Sequence, residues 1–385
     1  MTGSRSSGAY ELPSDPCLDG LALMERDLRR ATEASGVVEH FYEIGSRIAR
    51  LRFVGPALVD PLTRAIGHLR HETVGGPDLT INIWDSETTG VPLSPLLRAL
   101  IDAIYGNPFV LLTPRHEITA LSNDRVAATF ELGSGVLVLF DRLRNEVVYW
   151  VRDPLNLPYY ERGAPFRTAF NWGLAGHGVQ CVHAAAVGTE QGAILITGRS
   201  GSGKSTTALA CISSSLKYLG DDYCAFSTTH DPEVFSLYNT GKLNDDVDLA
   251  RQPHFAPWIV NPERTGDEKY LMYLGEQVPD RIIRRAPLRA IVMPQITNTT
   301  RPRLEPTSPA AALRALAPSS MFQLPGAAED ALVRMAWLAR TLPSYTLECG
   351  PDLAANTAVL EEFVGTLTPG GGSPQTDGDS ECVPT

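Results

Sequence analysis

Lysine is nearly missing from this chain. Only Lys204, Lys217, Lys242 and Lys269 stand among 33 basic residues, and all four fall between positions 204 and 269. Acidic residues number 44, which leaves a formal net charge of −11. An acidic excess of this size repels a phosphate backbone, so no nucleic-acid partner is expected. Cysteine is also sparse. Cys17, Cys181, Cys211, Cys224, Cys349 and Cys382 are scattered, with no CxxC pair and no clustered histidine, which argues against a zinc site and a disulfide framework. No apolar run approaches the length of a membrane span, and the opening MTGSRSSGAYELPSDP lacks the apolar core of a signal peptide. A reducing cytoplasm, with no membrane contact, is the expected address. No internal repeat is visible.

What is present is enough for two domains with sizeable cores: 385 residues, 43% hydrophobic and 20% charged. Residues 1–17 are expected to be a disordered arm. Residues 18–155 read as an α+β domain of unknown role, with helices at Leu21–Ala34 and Val59–Leu69. Strand-like runs occur at 41–44, 48–54, 79–84, 117–121, 126–132, 136–140 and 147–151. Trp84-Asp85-Ser86-Glu87 could be a site, although a strand ending in a polar turn explains it more simply. Residues 366–385 (TLTPGGGSPQTDGDSECVPT is the run from Thr366) are low in complexity and expected to be a disordered tail. Between them, residues 164–365 alternate helices and strands, with one helix read at Pro309–Ala317, the pattern of an α/β core.

One run within that second domain carries chemistry. Gly198-Arg199-Ser200-Gly201-Ser202-Gly203-Lys204-Ser205 places two glycines five apart before a lysine and a hydroxyl residue. Glycines let backbone N–H groups curl around a phosphate, the Lys204 ammonium neutralises its charge, and the Ser205 hydroxyl is placed to ligate Mg²⁺. The apolar run Ala193–Thr197 before it reads as a strand. The run Ser205–Ser215 after it reads as a small-residue helix, so strand, loop and helix start form an anion site. A nucleoside triphosphate is the expected ligand.

Three further features accompany the loop. His183 lies in the strand-like run Val179–Val187; alone, a histidine in such a strand is more often a core residue than a site. Asp221-Asp222 follow the strand ending at Leu219-Gly220, 17 residues after the loop lysine (221 − 204 = 17). Such a pair can divide two tasks, holding Mg²⁺ and accepting the proton of an attacking hydroxyl. Lys242 follows a strand near 234–238 and could reach a phosphate oxygen, or be simply solvated. Arg281, Arg284, Arg285 and Arg289 form a basic cluster that reads equally as an anion site or as a solvated helix face.

Together these residues resemble the catalytic domain of HPr kinase/phosphorylase: a strand histidine 15 residues before the glycine loop (198 − 183 = 15), then GxxGxGKS, then the aspartate pair. The resemblance covers residues 165–365. It is greatest to the HPr-kinase-like proteins of bacterial peptide-modification clusters, lasso-peptide kinases among them, which carry HAAAV, GxSGxGKST and DDY runs of the same style. It implies a phosphate-loop kinase domain of the HPr kinase/phosphoenolpyruvate carboxykinase type, ATP and Mg²⁺ as cofactors, and phosphate transfer to a serine. In that scheme Gly198 to Thr206 bind the nucleotide, Lys204 meeting the β- and γ-phosphates and Thr206 lying at the helix start. Ser205 and Asp222 organise the metal, Asp221 is the general base, and His183 positions the reacting groups. The acceptor is then a peptide or protein, a precursor peptide being one form of it, and a homo-oligomer is left open. The Glu-Arg-Gly-Leu-Gly-Ile-type signature of true HPr kinase/phosphorylases has no counterpart here, which argues against phosphorolysis and against HPr as substrate. Rival readings are a small-molecule kinase or a nucleotide-binding regulator. The absence of an NKxD motif argues against a GTPase, and the absence of an LSGGQ-like signature against an ABC-type ATPase.

Overall fold

Residues 15–72, 75–265, 268–297, 299–325 and 328–367 are described in a computed structural model of the protein. The expected arm up to residue 14 and the expected tail from residue 368 lie outside them. Asp15, Pro16 and Cys17 are not arm: they start the helix Pro16–Ser35. The Asp15 carboxylate accepts from the Cys17 N–H, and proline occupies the first turn, where no backbone donor is needed. Gly36, at φ 71°, ends the helix.

The chain is mixed α/β and divides into two compact units. The first comprises the described residues up to Phe41 together with Ile48–Pro61 and those of Thr73–Pro158. The second comprises Tyr42–Arg47, Leu62–Glu72 and the described residues from Tyr159 onward.

Strands β1 (Val37–Ile44), β2 (Arg47–Val54), β3 (Arg70–His71), β4 (Leu79–Asp85), β5 (Val126–Glu131), β6 (Val136–Asp141) and β7 (Glu146–Val151) form one sheet, in the order β3-β1-β2-β4-β7-β6-β5. β4 runs parallel to both β2 and β7, and every residue of it is buried, as a central strand requires. Leu21, Met24 and Leu28 of the first helix join Trp84, Phe130 and Trp150 in one core. The Trp84–Glu87 run is a capped turn: both Asp85 oxygens accept from Thr88, at 2.6 Å from the backbone N–H and 2.7 Å from the hydroxyl. The segment expected as a strand at 117–121 is instead a pair of isolated bridges, Glu117 with Thr129 and Ile118 with Leu112, followed by the 3₁₀ turn Thr119–Leu121.

The second unit holds β8 (Val179–Val182), β9 (Ala185–Thr189), β10 (Gly192–Ile196), β11 (Lys217–Gly220), β12 (Cys224–Ser227), β13 (Glu233–Ser236), β14 (Thr240–Leu243), β15 (Tyr270–Tyr273), β16 (Arg285–Ile296), β17 (Arg303–Thr307) and β18 (Ser344–Cys349). Nine of these form a sheet along the path β11-β9-β10-β16-β13-β12-β8, with β18 beside β16 and β17 beside β18; β14 and β15 pair separately. Side chains on a strand alternate between faces, and here both faces are covered. Ala184, Ala186, Leu195 and Ile291 pack with residues of the helices Pro309–Gln323 and Ala328–Thr341. Ala185, Val187, Ile194, Ile196 and Val292 pack with those of Lys204–Ala210 and Leu353–Thr366. β10, which feeds the glycine loop, is buried throughout.

Three local expectations change. The run Val179–Val187 is two strands, because the chain leaves β12 at His183 and then pairs with β10 and β11. The helix beginning at Pro309 does not stop before Pro318 but runs through it to Gln323. The arginine cluster is no helix face: Arg281 ends a 3₁₀ turn, while Arg285 and Arg289 lie on β16. The Arg281 guanidinium donates to the carbonyls of Ile212 (3.1 Å) and Leu216 (3.0 Å), a structural tie.

Candidate functional site

The glycine loop joins β10 to the helix Lys204–Ala210. Gly198 has φ 153°, and a Cβ there would lie 2.6 Å from the Ser202 hydroxyl. Gly203, at the helix start, has φ 95°. Both conformations exclude ordinary side chains, which is why this turn is spelled in glycine. Arg199, Ser200 and Gly201 are exposed at its tip, Ser202 and Thr206 half-buried. The Lys204 side chain folds back under the loop and donates to the carbonyls of Gly198 (2.9 Å) and Arg199 (3.3 Å). It is only 7% exposed, and burial lowers its pKa against the opposing pull of Asp221 and Asp222.

Asp221 and Asp222 occupy the turn between β11 and β12. Asp221 is buried, and neither of its carboxylate oxygens finds a hydrogen-bond partner within 3.5 Å among the described residues. Burial first, and the Asp222 charge second, push its pKa up to about 7; the Ser205 hydroxyl lies close enough to pull the other way. Asp222 goes in the opposite direction. Burial alone would raise it, but the Lys242 ammonium, helped by His183 and Lys269, holds it well below the ordinary carboxylate range. Lys242 Nζ donates to Asp222 Oδ2 at 2.5 Å, and His183 Nε2 lies 4.0 Å from Oδ1. Two neighbouring carboxylates are thus driven apart, one toward neutrality and one firmly ionised.

His183 sits where β8 gives way to β9, with its backbone N–H donating to Ser320 Oγ (2.9 Å). The ring stands 5.4 Å, centroid to centroid, from that of Tyr223. Burial lowers its pKa to about 4 despite the nearby Asp222, so the imidazole is neutral at pH 7. Its Nδ1 has no hydrogen-bond partner among the described residues.

All of the residues singled out in the sequence around the loop therefore meet, except the arginine cluster. Lys242 joins them from β14, with Gly163 against its side chain: a Cβ there would lie 3.0 Å from Lys242 Cε. Lys269 is an addition that sequence reasoning missed. It lies just before β15, the partner of β14, and its charge is felt by His183, Lys204, Asp221 and Asp222. Three of the chain's four lysines thus act electrostatically on one acidic pair, and the scarcity of lysine elsewhere was the signal that could have found the third. In a protein of net charge −11, this is a local positive centre able to draw in an anion.

The chemistry of the donor set suits a magnesium nucleotide. Among the described residues no group of three or more His, Cys, Asp or Glu could hold a metal alone. Mg²⁺ is usually held by one or two carboxylates together with substrate phosphates, and the pair fits that pattern: Asp222 keeps the oxygen that Lys242 does not hold, while the neighbouring Asp221, near Ser205, leaves both of its oxygens unengaged. A Ser–His–Asn line elsewhere in this unit is not a second centre. His68 Nε2 lies 2.7 Å from Ser236 Oγ, but the Asn239 amide points an N–H at His68 Nδ1 (3.2 Å). That leaves Nε2 protonated, a donor rather than a base toward the buried serine.

Among the described residues, no helix is long and apolar enough to cross a membrane. No family model and no curated protein matches the chain. Among solved structures it is similar to the Hpr(Ser) kinase/phosphatase from Coxiella burnetii, at 10% sequence identity, over 48% of this chain and 95% of that chain, with a TM-score of 0.28. A likeness at that level leaves the assignment to the chain's own residues.

Proposed function

We propose that the chain is an ATP- and Mg²⁺-dependent phosphotransferase of the HPr-kinase-like type, with a serine of a peptide or protein as acceptor. The observation that carries this reading is the convergence of the Lys204 loop, the oppositely perturbed Asp221–Asp222 pair and neutral His183. Lys204 and the loop amides would receive the β- and γ-phosphates, with Lys242 and Lys269 adding positive charge nearby. Ser205 and Asp222, the latter through the oxygen that Lys242 does not hold, would ligate Mg²⁺, whose contribution is to neutralise phosphate charge. Asp221, poised near neutrality, takes the proton of the acceptor hydroxyl. As that proton leaves, the acceptor oxygen bonds to the γ-phosphorus, the bond from phosphorus to the β,γ-bridging oxygen breaks, and ADP departs. His183, uncharged, orients the reacting groups without adding a competing cation.

The test is incubation with Mg²⁺, γ-labelled ATP and a library of serine peptides, read by mass spectrometry. Phosphoserine formation that disappears in Lys204→Ala supports the proposal. ATP binding with no labelled peptide or metabolite would instead favour a nucleotide-binding regulator.

A further inference from the structure

Ser86, in the capped turn after β4, lines a cavity of ≈ 390 Å³ whose wall lies entirely in the first unit. That volume falls within the roughly 300–1,000 Å³ of most small-molecule pockets. β4 and β7 run parallel, with Asp85 opposite Val151, so Ser86 and Arg152 leave the sheet side by side at its carboxyl edge. The Glu87 N–H donates to the Arg152 carbonyl (3.2 Å) and holds the two exits together. Open α/β sheets characteristically bind ligands in crevices outside the carboxyl ends of their strands. The helix Pro95–Gly106 contributes Arg98, Ile101 and Asp102 to the wall, and the segment before it contributes Leu93.

The wall divides by chemistry. Leu93, Ile101 and Trp150 belong to the buried core of this unit and give the cavity an apolar floor. Arg98, Asp102 and Arg152 are exposed and Ser86 is half-buried, so a ligand can reach their polar ends. Trp150 Nε1 donates to Ser86 Oγ (2.8 Å), which satisfies the indole N–H and leaves the serine O–H to donate. The Arg98 guanidinium donates to the Leu93 carbonyl (3.2 Å), which fixes it beside another residue of the wall with its remaining N–H groups free. Among the described residues neither Arg98 nor Arg152 forms an ion pair, although Asp102 stands one helical turn after Arg98. Arg98 also lies in the first turn of its helix, where the helix dipole disfavours a cation and a bound anion would offset that penalty. Two positive charges against the one negative charge of Asp102 suit a singly charged anion better than a doubly charged phosphate.

We propose that this cavity binds a carboxylate carried on an apolar body, with Arg98 and Arg152 holding the carboxylate and Trp150 meeting the apolar part. The proposal does not rest on the phosphotransferase reading. It is tested on the full-length protein by calorimetry and ligand-observed NMR. Phenylacetate serves as a free carboxylate, and a short peptide ending in phenylalanine as a chain-borne one. At least one should bind saturably, and the one that does identifies the source of the carboxylate. Removing the charge, as phenylacetamide or the amidated peptide, should weaken binding about tenfold or more. Arg98→Gln and Arg152→Gln should each do the same, and because both side chains are exposed the variants keep the fold. Benzylphosphonate, held at a pH where it is doubly charged, should bind more weakly than phenylacetate. Four outcomes would overturn the proposal: no saturable binding from either source, binding indifferent to the carboxylate charge, full affinity retained in both arginine variants, or tighter binding of benzylphosphonate.

Discussion

Lys242 Nζ lies 2.5 Å from Asp222 Oδ2, joining the short strand β14 to the turn after β11. Lys242 is 5% exposed at its side chain and Asp222 20%, so the contact is made largely out of water. Breaking one partner of such a pair costs roughly 3–5 kcal/mol, because the other charge is left uncompensated. Lys242→Met should therefore lower thermal stability sharply, and the double variant with Asp222→Asn should recover much of the loss without recovering activity. The sign with pH follows from the depressed Asp222 pKa. Its stabilisation is present above the unfolded value of 3.8 and lost as pH falls toward the lower folded value. That acid-side loss should be absent in the double variant.

Asp221 behaves in the reverse sense. Its folded pKa, about 7, is above the unfolded 3.8, so the folded state holds the extra proton between those values and this residue's contribution falls as pH rises through that window. Asp221→Asn should accordingly stabilise the protein at pH 8, seen as a raised Tm, with a gain in unfolding free energy on the order of a few kcal/mol at most. The same variant should lose about 10²–10⁴-fold in transfer rate while still binding ATP. Unchanged stability at pH 8 would contradict the buried, destabilising carboxylate.

His183 should stay neutral across the physiological range. Its ring resonances in ¹⁵N–¹H NMR should titrate near pH 4, and no inflection near 6.5 in the rate profile should trace to it. A titration at the ordinary histidine value would show the ring to be solvated, against the burial seen here.

Gly198→Ala places a methyl group 2.6 Å from the Ser202 hydroxyl, at a φ of 153°. The loop must open to relieve the contact, so ATP binding, followed by calorimetry, should weaken by about tenfold or more, since strain of this kind costs on the order of 1–3 kcal/mol.

The loop, His183 and the aspartate pair were legible in the sequence because their chemistry is encoded in short local patterns. Lys242 was ambiguous: nothing local says that β14 turns its lysine inward, and only the contact with Asp222 does so. Lys269 carries no motif at all, and its place near the site arises from the long-range pairing of β14 with β15. The helix through Pro318 was missed because proline is disfavoured there locally, while Leu316, Ala317 and Ser320 are buried on either side of it. The arginine cluster failed for a related reason. Four arginines in sequence suggest one charged face, but the chain bends from a 3₁₀ turn into a strand and disperses them.

The most direct measurement follows the fate of the γ-phosphoryl group. Wild-type protein, Mg²⁺, ATP and a serine peptide identified as an acceptor would be held in one reaction, with ADP, phosphopeptide and inorganic phosphate quantified together. The expected result is one phosphopeptide for each ADP, with both products lost in Lys204→Ala and Asp221→Asn. ADP matched only by inorganic phosphate, or transfer undiminished in Asp221→Asn, would contradict a phosphotransferase built on this acidic pair.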